Sequence, residues 1–202
     1  MPVTRQFRLV LASGSKARHR VLRDAGFDPE VMVSRAAETT ESMDTRRAVI
    51  ELAERKGRLV AKRCTDALVI ACDSLLDVDG ESIGKPANRD EAVRLCRRLS
   101  GSQAVLYTGH WLCDVPSGLS ISDVAGTIVY FGRPTDEEIE AYVSTGEPLR
   151  MAGAFSIEGD GAPFIDGIEG DPSNVLGLSL PLFRRMLSDL DIRVIDLWRR
   201  GD

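Results

Sequence analysis

Residues 68–86 constrain this chain more than any other stretch. Leu68-Val69-Ile70-Ala71-Cys72 is short, continuous and rich in β-branched residues, which predicts a buried strand that stops at Asp73. A carboxylate at the end of a buried strand in an α/β chain sits where ligands bind. Asp79-Gly80 predicts a tight hairpin turn, because glycine tolerates positive φ, and the returning strand delivers Gly84-Lys85-Pro86. A closed hairpin turns a carboxylate and an ammonium toward one pocket, as a metal-bound phosphate ester requires. The plainer alternative is that Asp73 ends a strand and caps a turn, with Lys85 a solvated loop lysine.

The chain has 202 residues, 43% of them hydrophobic and 28% charged, which suits one domain, or one domain with two lobes, around a proper core. A net charge of −5 argues against a nucleic-acid partner or a membrane surface, both of which usually meet a basic excess. A small anion held in a local basic pocket stays open. Cys64, Cys72, Cys96 and Cys113 are widely separated, and only His19 and His110 are available to join them, so a zinc site of ordinary spacing is not expected. Buried reduced thiols suit the cytoplasm. The first residues lack the apolar segment of a signal peptide, and no stretch has the length of a membrane span. The expected location is therefore cytoplasmic.

In chain order, residues 7–12 predict a strand. Ser13-Gly14-Ser15 is a small-residue loop, and a helix over 16–25 is capped by Ser15 and stopped by Gly26. Free N–H groups at such a helix start favour anions, though a plain capped helix explains the pattern as well. Arg18 in the first turn opposes the helix dipole, which makes sense if it answers a bound anion. Residues 27–33 predict a strand, 34–42 a polar segment carrying Glu38, and 44–63 a long helix with the apolar stripe Val49, Leu52, Ala53 and Val60. Lys56 projects from that stripe, either snorkelling at the core edge or reaching into the pocket.

Asn88-x-x-Glu91 opens a helix to Leu99, and strands follow over 103–115 and 119–131. Thr108-Gly109 in the first of these marks a bulge or a close backbone approach. Thr135-x-x-Glu138 caps the next helix. Residues 152–161 hold too many glycines for a helix and read as short strand and loop. Phe164, Ile165 and Ile168 give a short strand, and a last helix starts at Leu180-Pro181. No repeat or low-complexity linker interrupts this order, which predicts a mixed α/β sheet with helices outside.

The collected candidates are Arg18, Lys56 and Lys85 as cations with Glu38 and Asp73 as carboxylates. Three cations suit a triphosphate, and two acids without a histidine cluster suit a hard divalent ion, Mg²⁺ or Mn²⁺. Together they point to metal-assisted attack of water on a phosphoryl group, with one carboxylate as general base.

At this point the chain resembles the Maf family, nucleotide pyrophosphatases first named as septum formation inhibitors. Leu11-Ala12-Ser13-Gly14-Ser15 with Arg18 is similar to the family's opening S-x-S-P-R-R region, and Ala53-Glu54-Arg55-Lys56 to its lysine helix. Ala71-Cys72-Asp73-Ser74 and Gly84-Lys85-Pro86 resemble its G-A-D-T and G-K-P blocks. Glu38, Leu99-Ser100-Gly101, Tyr107-Thr108-Gly109, Ala152-Gly153-Ala154 and Asn174-Val175-Leu176-Gly177-Leu178 complete the series, nearly end to end over 1–202.

The resemblance implies a Maf/inosine-triphosphate-pyrophosphatase-like fold: an elongated, curved mixed sheet flanked by helices, with a cleft between two lobes. It also implies hydrolysis of a nucleoside triphosphate to the monophosphate and pyrophosphate with a divalent metal, as a house-cleaning activity. It makes Asp73 the proton acceptor and, with Glu38, a metal ligand, beside Lys56 and Lys85. Ser13, Ser15, Ala17, Arg18, Ser74 and Glu158 become substrate-binding positions.

The chain departs from the family where substrate choice is made. The subfamily similar to dTTP/UTP pyrophosphatases carries an arginine at position 17, a threonine at 74 and a glutamine at 158, where this chain has Ala17, Ser74 and Glu158. A carboxylate at 158 resembles the 7-methyl-GTP subfamily, since it can accept two hydrogen bonds from the guanine edge; an exposed loop acid is the alternative. A 7-methyl-GTP-specific enzyme and a nucleotide-binding regulator of division with little turnover are the rival functions. Trp111 and Trp198 either pack inward, the favoured reading, or serve a homodimer.

Overall fold

The structure, a computed structural model, describes residues 7–37 and 39–199; the expectation for Glu38 lies outside the described residues. In chain order the elements are β1 (Leu9–Leu11), α1 (Lys16–Asp24), β2 (Glu30–Val31), α2 (Thr45–Ala61), β3 (Leu68–Val78), β4 (Glu81–Ile83) and α3 (Arg89–Leu99). They continue as β5 (Gln103–Asp114), β6 (Leu119–Phe131), α4 (Asp136–Ser144), β7 (Ile165–Glu169), α5 (Pro172–Val175) and α6 (Leu180–Asp189). Six strands lie in the order β2-β1-β3-β5-β6-β7 and β4 joins β3, making one mixed sheet of seven. The expected mixed α/β sheet with outer helices is what the chain builds.

Local chemistry explains most of the boundaries. Ser15, Asp44, Asn88, Thr135 and Ser179 each cap a helix by accepting a backbone N–H, and Thr135 with Glu138 closes a full capping box. Asp79 (φ 54°) and Gly80 (φ 86°) form the two-residue turn between β3 and β4, with Val78 opposite Glu81. Two expectations are corrected. Residues 152–161 contain 3₁₀ turns rather than a strand, and the strand expected over 27–33 shrinks to Glu30–Val31 with a bridge from Phe27 to Trp198.

The two faces of the sheet are filled differently. On one, α2 lies over β3 and β5, burying Ala53 and Val60 against Val69, Ala71, Trp111 and Cys113. The approach is close. A Cβ at Gly109 would stand 2.3 Å from the Val49 backbone, and one at Gly57 would meet the Trp111 ring. The expected close approach at Thr108-Gly109 is therefore present, without a bulge, since β5 pairs β3 and β6 in continuous register. Trp111 packs inward, as favoured, while Trp198 remains half exposed beside Gly26.

The other face carries two cores. Leu68, Ile70, Cys72 and Leu112 pack under α1 and α6, while Leu76, Val78, Leu106 and Val129 pack under α3 and α4. Between them the strands present hydroxyls: Ser74, Thr108 and Thr127. This polar seam is filled by the fully buried Asn174 of α5.

Candidate active site

Asp73 does not end a strand. β3 runs on to Val78, and what changes at Asp73 is the neighbour along one edge. The ladder with β1 stops at Ile70 and the ladder with β4 begins at Leu76, so residues 71–75 face a fork in the sheet. The Ser13-Gly14-Ser15 loop leaves β1 on one side of the fork, and Gly84-Lys85-Pro86 leaves β4 on the other. The apolar run ends at Cys72 because the chain there enters this gap. Period-two alternation then sends the Asp73 and Ser74 side chains to opposite faces.

On the α2 face, Asp73 Oδ2 lies 2.7 Å from Lys56 Nζ, and both side chains are nearly buried, 15% and 10% exposed. Oδ1 accepts the Ser74 N–H at 2.9 Å. Lys56 meets Asp73 because its neighbours on α2 bury against the sheet and carry it inward. Cys72, one residue earlier, is no nucleophile: burial pushes its thiol up to about 12.

On the seam face, Arg18 donates from Nε to the Gly177 carbonyl at 2.7 Å, from Nη1 to Ser13 Oγ at 3.3 Å and from Nη2 to Ser74 Oγ at 3.0 Å. All three acceptors are neutral, so the guanidinium charge remains available to an anion. Gly177 permits this approach: it sits at φ 96°, and a Cβ there would stand 2.9 Å from Arg18 Nε. Ser13 Oγ also accepts the Ser15 N–H, and Ser15 Oγ accepts the Arg18 N–H. The start of α1 thus combines hydroxyls, a free helix end and a cation, with no acidic residue in the first turn.

The remaining expected positions divide. Lys85 is exposed beside the fork, and its segment is anchored where the Gly153 N–H donates to the Gly84 carbonyl at 2.9 Å. Ala17 is half-buried on α1. Arg55 on α2 donates to the carbonyls of Ala37 and Thr39, tying down the chain on either side of position 38. Glu158 is not brought to Asp73 by any recorded contact; its Oε2 meets Arg20 Nη2 on the outer face of α1.

Sequence reasoning missed the seam. Ser74 Oγ lies 2.9 Å from Thr108 Oγ1, which lies 3.3 Å from the Asn174 carbonyl. Asn174 Nδ2 donates to the Leu106 carbonyl and to Thr127 Oγ1, both at 3.1 Å. His110, fully buried, accepts the Ser179 N–H at Nε2 and faces the Thr108 carbonyl through Nδ1, which fixes Nδ1 as the protonated nitrogen. Burial holds this imidazole near 4, hence neutral. The available signal was a hydroxyl at Ser74, Thr108 and Thr127, one on each of three neighbouring strands. All four cysteines are free, matching the expected reduced thiols. Among the described residues no helix is long and apolar enough to cross a membrane.

Comparison with known proteins finds a family model, curated relatives and a solved structure. The family described as Maf-like protein matches residues 8–190. A nucleoside triphosphate pyrophosphatase of Streptomyces coelicolor is 50% identical over 95% of this chain and 94% of its own length. One of Gloeothece citriformis is 44% identical over 94% of this chain and 97% of its own length. The solved structure of a HAM1 protein from Coxiella burnetii overlays 63% of this chain and 74% of its own with a TM-score of 0.45 at 17% identity.

Proposed function

This chain belongs to the Maf-like protein family, and from that premise we propose that it hydrolyses nucleoside triphosphates to the monophosphate and pyrophosphate. The observation that carries the reading is the fork at residues 71–75, which gathers a buried carboxylate–ammonium pair, a guanidinium with neutral partners and an exposed lysine around one gap in the sheet.

The residues divide the work by charge. Arg18, the hydroxyls of Ser13 and Ser15 and the first turn of α1 hold the phosphates, and Lys85 meets them from the other side of the fork. Asp73 takes a proton from the attacking water, the water oxygen bonds to phosphorus, and the anhydride oxygen leaves with its electron pair as pyrophosphate. Lys56 holds the carboxylate in position. Among the described residues Asp73 Oδ1 accepts one hydrogen bond and Oδ2 meets Lys56, while a carboxylate offers roughly four acceptor positions, so acceptor capacity remains for water and a metal.

The donor set fits a hard cation. Among the described residues no three His, Cys, Asp or Glu side chains cluster as an all-protein cage. Mg²⁺ is typically held by one or two carboxylates plus substrate phosphates and water. Asp73 and Glu38 would hold Mg²⁺ or Mn²⁺, which supplies neutralisation of the phosphate charge. A broad, house-cleaning specificity is preferred to a 7-methyl-GTP-specific one, because the Glu158 carboxylate that would read the base is engaged by Arg20.

The test is pyrophosphate release from dTTP, UTP, CTP, GTP and 7-methyl-GTP with either metal, comparing wild type and Asp73→Asn. Turnover of several nucleotides is expected. The variant should bind nucleotide but turn over on the order of 10²–10⁴-fold more slowly. Equal turnover by the two proteins removes Asp73 as the base. No release by wild type leaves a nucleotide-binding regulator.

A further inference from the structure

The seam carries an inference that goes beyond the residues expected to touch substrate, and it rests on the reading of Arg18 as a phosphate ligand. A serine or threonine hydroxyl has one proton to give and accepts at its lone pairs, while a backbone carbonyl only accepts. The contact between Thr108 Oγ1 and the Asn174 carbonyl therefore spends the Thr108 proton. Ser74 Oγ, 2.9 Å from Thr108 Oγ1, must then donate to it. That leaves the Ser74 oxygen as acceptor for Arg18 Nη2 at 3.0 Å. Every proton in the chain Arg18–Ser74–Thr108–Asn174 points away from the guanidinium.

The acceptor end of this chain is fixed independently. Asn174 Nδ2 donates to the Leu106 carbonyl and to Thr127 Oγ1, and Thr127 donates in turn to the Asp171 carbonyl at 3.0 Å. The Ser179 N–H is held by His110. The segment between, 174–179, presents two carbonyls inward: Asn174 to Thr108 and Gly177 to Arg18 Nε. One clamped segment thus reaches Arg18 twice, once directly and once through two hydroxyls. Thr108 is fully buried, so its own contacts in the relay meet no competition from water.

We propose that Thr108 is a positioning residue for Arg18, setting the direction of the Ser74 hydroxyl so that the guanidinium is aimed at the phosphates while keeping its whole charge. Thr108→Val preserves the shape and removes the proton. Ser74 then loses the acceptor for its own proton, and its oxygen is no longer held where it accepts from Nη2. Arg18 holds phosphate in the ground state and the transition state alike, so its misplacement raises KM and leaves kcat.

The experiment measures kcat and KM for the best nucleotide of the panel in wild type, Thr108→Val, Thr108→Ser, Arg18→Lys and the double variant Thr108→Val/Arg18→Lys, with urea midpoints for each. KM is expected to rise about tenfold in Thr108→Val, a hydrogen bond to a charged group being at stake, with kcat within twofold and the serine variant restored. In the double variant KM should match Arg18→Lys alone. An unchanged KM in Thr108→Val, or a tenfold rise on top of Arg18→Lys, overturns the positioning role. A KM unmoved by Arg18→Lys overturns it together with the phosphate role of Arg18. If wild type releases no pyrophosphate, binding of inorganic triphosphate by calorimetry replaces KM in the same comparison, so failure of the enzymatic reading and failure of the relay are separate results.

Discussion

Asp73 and Ser74 are neighbours in sequence and stand on opposite faces of one strand, in environments that differ in kind. Beneath α2 the site contains, among the described residues, two opposite charges 2.7 Å apart, both nearly buried. Across the sheet it contains one charge, Arg18, surrounded by hydroxyls and carbonyls. The first face is close to neutral within itself and strongly fixed. The second keeps a net positive charge that only a ligand can satisfy. A single strand can therefore keep the proposed base and the hydroxyl beside the proposed phosphate ligand in separate environments, because its side chains alternate faces at each residue.

The comparison is most easily broken on the α2 face. Lys56→Met keeps the length of the side chain and strands a nearly buried carboxylate. Breaking such a pair by removing one partner costs about 3–5 kcal/mol. Urea unfolding should show a loss of that order, and pyrophosphate release should fall with it. A loss below about 1 kcal/mol, the range of exposed pairs, would mean that water reaches Asp73 freely and that the two faces do not differ as described.

The seam face is sharpened by pH. His110 is held near 4 by burial, below its ordinary value of 6.5. Because the folded state disfavours the proton, the stabilisation is complete above the unfolded value and is lost as pH falls from about 6.5 toward 4. Between pH 7 and pH 5 this amounts to about 2 kcal/mol. The urea midpoint of wild type should drop over that interval by more than that of His110→Gln. Parallel curves would show that the buried imidazole accepts a proton in place, contrary to its contacts with Ser179 and Thr108.

The smallest effect belongs to the ion pair outside both faces. Arg20 and Glu158 are half exposed, and such pairs contribute little. Glu158→Gln should leave the urea midpoint unmoved and change turnover of the nucleotide panel evenly. A selective loss of 7-methyl-GTP turnover would make Glu158 a reader of the base and extend the binding face to α1's outer surface.

Much of this architecture was legible because it is written locally. The caps at Ser15, Asn88 and Thr135 depend on residues within one helical turn, and the Asp79-Gly80 turn on two positive φ values. The strand at 119–131 follows from its turn signals at both ends. The carboxylate and cations were legible as residue types in a family pattern, but the end assigned to the strand at Asp73 was not correct. Apolar character ceases there because the edge partner changes, and edge pairing between residues far apart leaves no local trace. The seam was hidden for the same reason. Thr108 meets Asn174 only when α5, dozens of residues further along the chain, packs against β5, and nothing beside Thr108 in the sequence marks that contact.

The fork has a consequence for solubility as well. An unpaired strand edge is an invitation to a foreign strand, and proteins protect such edges by keeping them short or covered. The interval left open along β3 spans residues 71–75 and is closed off by β1 at one end and β4 at the other. An incoming chain would find too few free backbone groups to form a ladder, and both ends blocked. A nucleotide, being small and charged, meets neither obstacle. The opening excludes polypeptide by its dimensions before any side chain is consulted.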